Sequence, residues 1–182
     1  MIIIREAAQR GLTKNEWLES RHSFSFGHYH DPKHMGFHSL RVINDDKIAP
    51  GKGFSEHPHN DMEILSYVLS GKMQHIDSLG STTILHKDEI QLMSSGTGIV
   101  HSESNPSIEE ELHLLQVWIY PNHMNLPPKY QQQKFDAAKY RNQLYLIASP
   151  DGRKGSLMIH QTVDIYTASI TPNNLISYPI TP

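Results

Sequence analysis

Short apolar, β-branched runs alternate with turn-forming residues from residue 39 onward, and this pattern limits the fold more than any other feature. Glycine, asparagine, aspartate and serine separate the runs at near-regular spacing, which is typical of strands joined by tight turns. The candidate strands lie at 40–43, 62–69, 72–77, 82–85, 90–93, 112–120, 143–148, 156–160 and 163–170. The pattern predicts an all-β protein built as a sandwich or a barrel.

Helix signals are few, and one proline-rich segment divides the chain. The helix candidates are a short segment at 14–20, after the possible cap Thr13, and a polar segment at 131–139. Residues 121–128 end in a Pro-Pro pair and have the composition of a linker. We therefore predict an N-terminal domain over 1–128 and a shorter C-terminal part over 129–182.

Composition excludes several classes of function. Sixteen lysines and arginines against 19 aspartates and glutamates leave a net charge of −3, which argues against a surface for nucleic acids. The chain has no cysteine, so disulfides, thiolate metal sites and cysteine nucleophiles are excluded, as fits a reducing cytosol. No stretch is apolar for long enough to form a signal-peptide core or to cross a bilayer. We expect a cytoplasmic protein that binds neither nucleic acid nor membrane.

Two short motifs indicate a metal site. His57 and His59 are two residues apart, and so are His101 and Glu103. In a strand, side chains two apart point to the same face, so each pair can reach one ion. Either motif alone has a plain alternative, as a chance match or a surface pair. Together, three imidazoles and a carboxylate suit a first-row divalent ion with two open positions, which indicates chemistry rather than a closed structural site.

The residues around these motifs resemble the cupin superfamily. The first cupin motif is matched by Gly51, His57, His59, Glu63 and Gly71, and the second by Gly98, His101 and Asn105. The step from Glu63 to Gly71 is one residue longer than the usual pattern, and Gly96 stands where many cupins have proline. Both departures resemble the pirin branch of the cupins.

The resemblance to pirins extends well beyond the ligands, and the chain is identified as a member of that family. It covers residues 21–27, 31–32, 35–37, 41–46, 57–63, 93–103 and 112–119. It implies two jelly-roll barrels packed face to face, with one metal ion in the N-terminal barrel held by His57, His59, His101 and Glu103. Iron(II) is the usual family metal, although manganese, nickel, copper and zinc accept the same donors.

The resemblance implies a metal-dependent dioxygenase that opens the ring of a flavonol such as quercetin and releases carbon monoxide. Its partners are a small aromatic substrate and dioxygen, and Glu103 is the expected catalytic proton acceptor. Phe24, Phe26 and Met93 are candidates for the apolar wall of the site, or are plain core residues. Asp61 and Glu63 are candidates to accept hydrogen bonds from the ligand imidazoles.

Other functions remain open at this point. A non-catalytic pirin that reports iron redox state to protein partners would need the same ligands. An open, ring-sized cavity would favour the enzyme, and a metal sealed by side chains would favour the regulator. An inactive remnant is a third alternative, favoured only by the short C-terminal part.

Residues 129–182 are too few to close an eight-stranded jelly roll, so we expect a bicupin-like fold with an incomplete second barrel. Unpaired strand edges would then leave apolar residues under thin cover. Those residues are Leu144, Leu146, Leu157, Ile159 and Ile165. We expect self-association through the C-terminal third, or poor solubility.

Overall fold

A computed structural model describes residues 4–179, with side chains for all of them except 137 and 138. Within this range the chain is built almost entirely of strands. In chain order they are β1 (Gly11–Lys14), β2 (Leu18–His22), β3 (Leu40–Ile48), β4 (Gly53–His59), β5 (Glu63–Ser70), β6 (Lys72–Asp77), β7 (Thr82–His86), β8 (Glu89–Ser94), β9 (Ile99–Ser104), β10 (Leu112–Ile119), β11 (Lys129–Lys134), β12 (Tyr145–Ser149), β13 (Leu157–Met158) and β14 (Ile165–Thr167). Three 3-10 helices lie at Ala7–Gln9, Ala137–Tyr140 and Arg153–Gly155. The prediction of an all-β protein is confirmed.

Two sheets form the jelly-roll barrel. The larger sheet has the strand order β1-β2-β3-β10-β5-β8-β11, and the smaller has the order β4-β9-β6-β7. Their inner faces share one apolar cluster, formed by Leu18, Ile48, Val68, Met73, Leu85, Leu112 and Leu114. A second cluster, of Ile64, Met93 and Ile99, also draws on both sheets. Polar side chains occupy the inner face between these clusters.

The outer face of the seven-stranded sheet is buried as well. Strands β12, β13 and β14 form a small third sheet, and its apolar residues pack with Leu65, Ile90 and Leu92 of the larger sheet. Because side chains alternate along a strand, β5 sends Leu65 outward and its neighbours Ile64 and Ser66 inward. One sheet therefore serves two cores.

The expectation that apolar residues of the C-terminal third lie under thin cover is wrong for three of the five residues named for it. Leu146, Leu157 and Ile159 are buried, because the outer face of the seven-stranded sheet covers them. Leu144 and Ile165 are half-buried. Self-association through this region stays a prediction, since burial within one chain does not test it.

The helix prediction for 14–20 is wrong, and the prediction of a helical turn within 131–139 is confirmed only at the end of that segment. Residues 14–20 form a β-hairpin in which the side chain of Asn15 accepts hydrogen bonds from the backbone N–H groups of Trp17 and Leu18, a local bond that favours a turn. Residues 129–134 form β11, which pairs with β8 along its whole length, and only Ala137–Tyr140 is helical. This strand follows the predicted boundary at residue 128 yet belongs to the first sheet. Among residues 4–179, no helix has the length and apolar character needed to cross a membrane.

Ile159→Ala should destabilise the whole protein, because Ile159 is 1 % exposed and lies in the core shared by the third sheet and the larger sheet. We expect a loss of about 2–5 kcal/mol in the free energy of unfolding, measured by urea denaturation. The control Ile170→Ala, at a position 58 % exposed, should change it by less than about 0.5 kcal/mol. A separate, early transition in Ile159→Ala would show instead that the third sheet unfolds independently.

Candidate metal centre

Strand β9 carries the middle of the candidate site. Its neighbours in the small sheet are β4 on one side and β6 on the other. His101 lies opposite His57 of β4 and Asp77 of β6, while Glu103 lies opposite His75 of β6. A bulge in β4 between Phe54 and His57 adds one residue there. Histidines and carboxylates from three strands thus meet on one inner face.

Three of the four predicted ligands converge. The ligand nitrogens of His57, His59 and His101 lie within 4.8 Å of one another. Desolvation by burial, together with the nearby imidazoles, lowers the pKa of His59 to about 4 and that of His101 to about 3. Both rings are therefore neutral at neutral pH, which is the form that binds a metal.

Hydrogen bonds set the tautomers of two of these imidazoles. Nδ1 of His57 donates to the carbonyl oxygen of Ser55 at 2.7 Å. Nδ1 of His101 lies 3.5 Å from Nδ1 of His75, whose Nε2 donates to Asp77 Oδ2 at 2.8 Å. Since the proton of His75 is on Nε2, its Nδ1 accepts from His101. Nε2 of His57 and of His101 is left with a free lone pair.

The donor set fits a divalent metal ion. His101 is 1 % exposed, and its Nε2 is a buried atom without a hydrogen-bond partner among the described residues. A buried polar atom without a partner is costly, and a metal bond is one way of removing that cost. Second partners that orient metal-binding imidazoles, such as Ser55 and His75 here, are a regular feature of metal sites.

Glu103 is held differently from the three histidines. Its carboxylate groups with His75 and His101 within 4.8 Å, and so the predicted ligands fall into two groups that share His101. Oε1 accepts from Gln91 Nε2 at 2.8 Å and from Ser66 Oγ at 3.2 Å. Oε2 accepts from Gln116 Nε2 at 2.6 Å. Burial raises the pKa of this carboxyl, and the donated hydrogen bonds oppose that effect.

Sequence reasoning missed His75, Asp77 and Tyr130, as well as the polar residues of the opposed sheet. His75 is fully buried and stacks on the ring of Tyr130 at a centroid distance of 4.6 Å. Burial opposes ionisation of Asp77, but hydrogen bonds from His75 and Ser81 lower its pKa overall. His75 and Asp77 have the same two-residue spacing as the recognised motifs, so the sequence carries a signal for them. Tyr130 comes from the other sheet and leaves no such signal.

The carboxylates expected beside the ligand imidazoles have other partners. Glu63 projects from the outer face of its strand and accepts from Ser94 Oγ at 2.8 Å and from the backbone N–H of His160 at 3.2 Å. Asp61 accepts from the backbone N–H of Asn125 at 2.6 Å. That expectation is wrong for Glu63. Successive side chains of a strand point to opposite faces, and Glu63 is on the face of β5 that points away from the site. Asp77, acting through His75, occupies the expected place.

A cavity of about 430 Å³ opens beside these groups. Its aromatic walls are formed by Trp17, Phe26, Phe54 and Trp118. Polar side chains reach it from both sheets; they are Thr13, Ser20, His22, His28, Asn44, Asp46, Ser55, His57, His59, Glu103 and Gln116. Of the apolar-wall candidates, Phe26 lines the cavity, whereas Met93 is fully buried in the core. Phe24 is not among the described residues that line it.

Two family models together match most of the chain. A family model described as Pirin matches residues 4–119. A second model, described as the quercetinase C-terminal cupin domain, matches residues 146–182. The two matches fall on the jelly-roll barrel and on the third sheet with the segment that follows it.

Individual proteins of known name or structure are also similar to most of this chain. Quercetin 2,3-dioxygenase of Escherichia coli K12 is 51% identical over 166 residues, which is 91% of this chain and 71% of that protein. The crystal structure of YhhW from Escherichia coli superposes with a TM-score of 0.88 at 51% identity, covering 91% of this chain and 70% of the other. The bacterial pirin YhhW in complex with nickel(II) superposes with a TM-score of 0.87 at 50% identity over the same shares.

Asp46→Asn should stabilise the protein, and more so at high pH. Burial raises the pKa of Asp46 from 3.8 to about 7, a hydrogen bond from Ser20 opposes this, and the charge of Glu103 adds to it. Ionisation therefore costs stability in the folded state, and that cost grows as pH rises from about 4 through about 7. Because one pKa unit is about 1.4 kcal/mol, we expect a gain above about 1 kcal/mol at pH 8.

Denaturant unfolding at pH 4.5 and pH 8 measures this effect. The control is Asp45→Asn, since the carboxylate of Asp45 binds His113 on the other side of the sheet and should give no such gain. An equal gain at both pH values would contradict the assignment.

Proposed function

Because this chain belongs to the pirin family, we propose that it is a metal-dependent dioxygenase that opens the ring of a flavonol such as quercetin and releases carbon monoxide. The observation that carries the proposal is a cluster of three converging imidazoles, with the buried carboxylate of Glu103 close to one of them, beside an aromatic-walled cavity of about 430 Å³. Small-molecule sites are commonly cavities of roughly 300–1,000 Å³ with apolar walls and a few polar groups.

We assign the metal to His57, His59 and His101, with Glu103 as the fourth donor. The free Nε2 atoms of His57 and His101 support the three histidines as ligands. Glu103 is supported as the fourth donor because it lies close to His101, which belongs to both groups of candidate ligands. Nitrogen and carboxylate donors suit a first-row divalent ion, but they do not select one. Iron(II) is the metal that the family resemblance implies.

The chemistry divides between the ion and the protein. When bound, the divalent metal supplies Lewis-acid stabilisation of the flavonol's deprotonated 3-hydroxyl group. Glu103 accepts the proton of that hydroxyl on a carboxylate oxygen. Burial raises the pKa of this carboxyl, which makes it a stronger proton acceptor than an exposed glutamate. Gln91, Ser66 and Gln116 hold the carboxylate in place, so it accepts the proton without leaving its position.

The aromatic side chains that line the cavity suit a flat aromatic substrate. Trp17 and Phe54 meet edge to face at a centroid distance of 5.3 Å, and so do Phe26 and Trp118. Such walls bind an aromatic ring by apolar contact and exclude water from the reacting carbon atoms. The open cavity also favours the enzyme over a sealed, metal-reporting regulator.

His59→Ala should abolish stoichiometric metal binding, because it removes one of the three converging nitrogens. We expect elemental analysis to show less than about a tenth of a metal ion per chain, against about one in the wild type. His75→Ala should still bind one ion per chain, with an affinity about 10–100-fold lower, since His75 only orients His101.

The control is His113→Ala, whose ring binds Asp45 on the outer face and should not affect the metal. Stoichiometric binding by His59→Ala, combined with loss in His75→Ala, would place the ion in the other group, with Glu103. Circular dichroism of each variant checks that the barrel is folded.

Glu103→Gln should keep part of the metal and lose about a hundredfold or more of the rate of flavonol cleavage, because the amide cannot accept the proton. Oxygen uptake, loss of flavonol absorbance and carbon monoxide release are measured on one metal-loaded sample with quercetin. Glu63→Gln is the matched control, since it removes a buried carboxylate from the outer face of the seven-stranded sheet, away from the site. Wild-type turnover by Glu103→Gln would remove Glu103 from the base role, and the absence of carbon monoxide from the wild type would reject the proposed reaction.

A further inference from the structure

Asp46 lies on the wall of the cavity that faces the candidate metal centre. It is in β3 of the seven-stranded sheet, paired with Ser20 of β2 and Leu114 of β10. The metal-ligand candidates come from β4 and β9 of the smaller sheet. Asp46 lines the same cavity as three of those candidates, His57, His59 and Glu103. The cavity therefore has polar contact points on two opposed sheets, with aromatic rings between them.

The carboxylate of Asp46 is incompletely bonded. The residue is 2 % exposed, and its Oδ1 is a buried atom without a hydrogen-bond partner in the described part of the chain. Among the described residues that line the cavity, it is the one with such an atom. Leaving a buried acceptor unsatisfied costs about 1–3 kcal/mol, and more for a charged group.

Neighbouring polar residues show that this wall can satisfy its polar atoms. His22 contacts Thr13 Oγ1 at 2.8 Å and Asn44 Oδ1 at 2.8 Å through its two ring nitrogens. Gln116 donates to Glu103 and accepts from Trp118 Nε1 at 3.0 Å. The free oxygen of Asp46 therefore distinguishes it from these neighbours on the cavity wall, and it is available to accept or share a hydrogen bond with a ligand.

We propose that Asp46 is a substrate-binding residue whose free oxygen forms a hydrogen bond with a phenolic hydroxyl group of the aromatic ligand, other than the hydroxyl that meets the metal donors. This inference rests on the proposed function and deepens it: the substrate class becomes a polyhydroxylated flat aromatic rather than any flavonol. Two polar contacts on opposed walls fix the orientation of the ring as well as its position.

A hydroxyl group suits this position better than a carbonyl or a cation. Near neutral pH the carboxyl of Asp46 is present in both protonation states, because burial raises its pKa to about 7. A hydroxyl both donates and accepts, so it satisfies either state. A carbonyl group satisfies only the protonated state, and an ammonium group only the ionised state.

The test compares two flavonols that differ in their hydroxyl groups. Quercetin carries further hydroxyls besides the 3-hydroxyl, whereas 3-hydroxyflavone carries that one alone. Their dissociation constants are measured for the metal-loaded protein without oxygen, by quenching of tryptophan fluorescence. Trp17 and Trp118 both line the cavity, so binding there changes the signal.

We expect Asp46→Leu to lower the preference for quercetin over 3-hydroxyflavone by about tenfold, because a site built to bond a hydroxyl discriminates through that bond. Asp46→Asn should keep the preference within about threefold, since the amide also donates and accepts. Metal content and the midpoint of thermal unfolding show whether each variant is intact. If Asp46→Leu does not fold, Asp46→Ala takes its place.

Each outcome bears on the proposal. An unchanged preference in Asp46→Leu, with wild-type protein that binds and cleaves quercetin, would overturn the role of Asp46 and leave the proposed function standing. An equal loss of affinity for both flavonols would also overturn it, because it would indicate damage to the cavity as a whole. If the wild-type protein bound neither flavonol, both the role and the proposed function would be rejected.

Discussion

The carboxylate of Glu103 joins the two sheets at the point where the candidate metal centre lies. It projects from the small sheet and accepts hydrogen bonds from three side chains of the large sheet: Ser66, Gln91 and Gln116. A buried carboxylate is tolerated only when its oxygens are bonded, so these donors and Glu103 depend on each other. The distance between the sheets beside the site is consequently set by hydrogen bonds as well as by apolar packing. The cavity lies against this link, and its shape depends on it.

The seven-stranded sheet couples the site to the rest of the chain. Its inner face holds the polar row that binds Glu103, and its outer face holds Leu65, Ile90 and Leu92 against the third sheet. Gln91 lies between Ile90 and Leu92, so one strand supplies both the site and the outer core. Packing of Ile90 and Leu92 on the outer face of the sheet therefore helps to position Gln91, the hydrogen-bond donor on the inner face, because neighbouring residues of a strand share one backbone.

Two kinds of polar group line the cavity, and they differ in how well they are bonded. Gln116 and His22 are hydrogen-bonded to their neighbours, which makes them parts of the wall. Nε2 of His101, at the candidate metal centre beside the cavity, and Oδ1 of Asp46, on the wall itself, lack partners within the described chain. Unsatisfied buried atoms cost stability, so a fold that keeps them at one site favours a bound metal and a bound ligand over an empty interior.

The strands β3, β5 to β8, β10 and β12 to β14 were readable from the sequence, and so were the ligand motifs, because both signals are local. Alternation with a period of two determines that His57 and His59 share a face, whatever the strand pairs with. The same rule places His101 and Glu103 on one face. It also applies to His75 and Asp77, which were not predicted as site residues. The donor types of the two motifs predicted that they belong to one metal site, and the resemblance to pirins implied the same ligand set.

Tertiary structure decided which of these faces meet. The pairing of β9 with β6 brings His75 and Asp77 to His101, and the opposed sheet supplies Gln91, Gln116 and Asp46 from distant parts of the chain. Residues 14–20 became a hairpin because β2 pairs with β3, and β3 in turn packs on the core. Such contacts depend on how a whole chain buries its apolar surface, and local spacing carries no information about that. The sequence by itself therefore determined the candidate donors and the face they share, while the packed barrel determined their partners, the protonation of His59 and His101, and the cavity beside them.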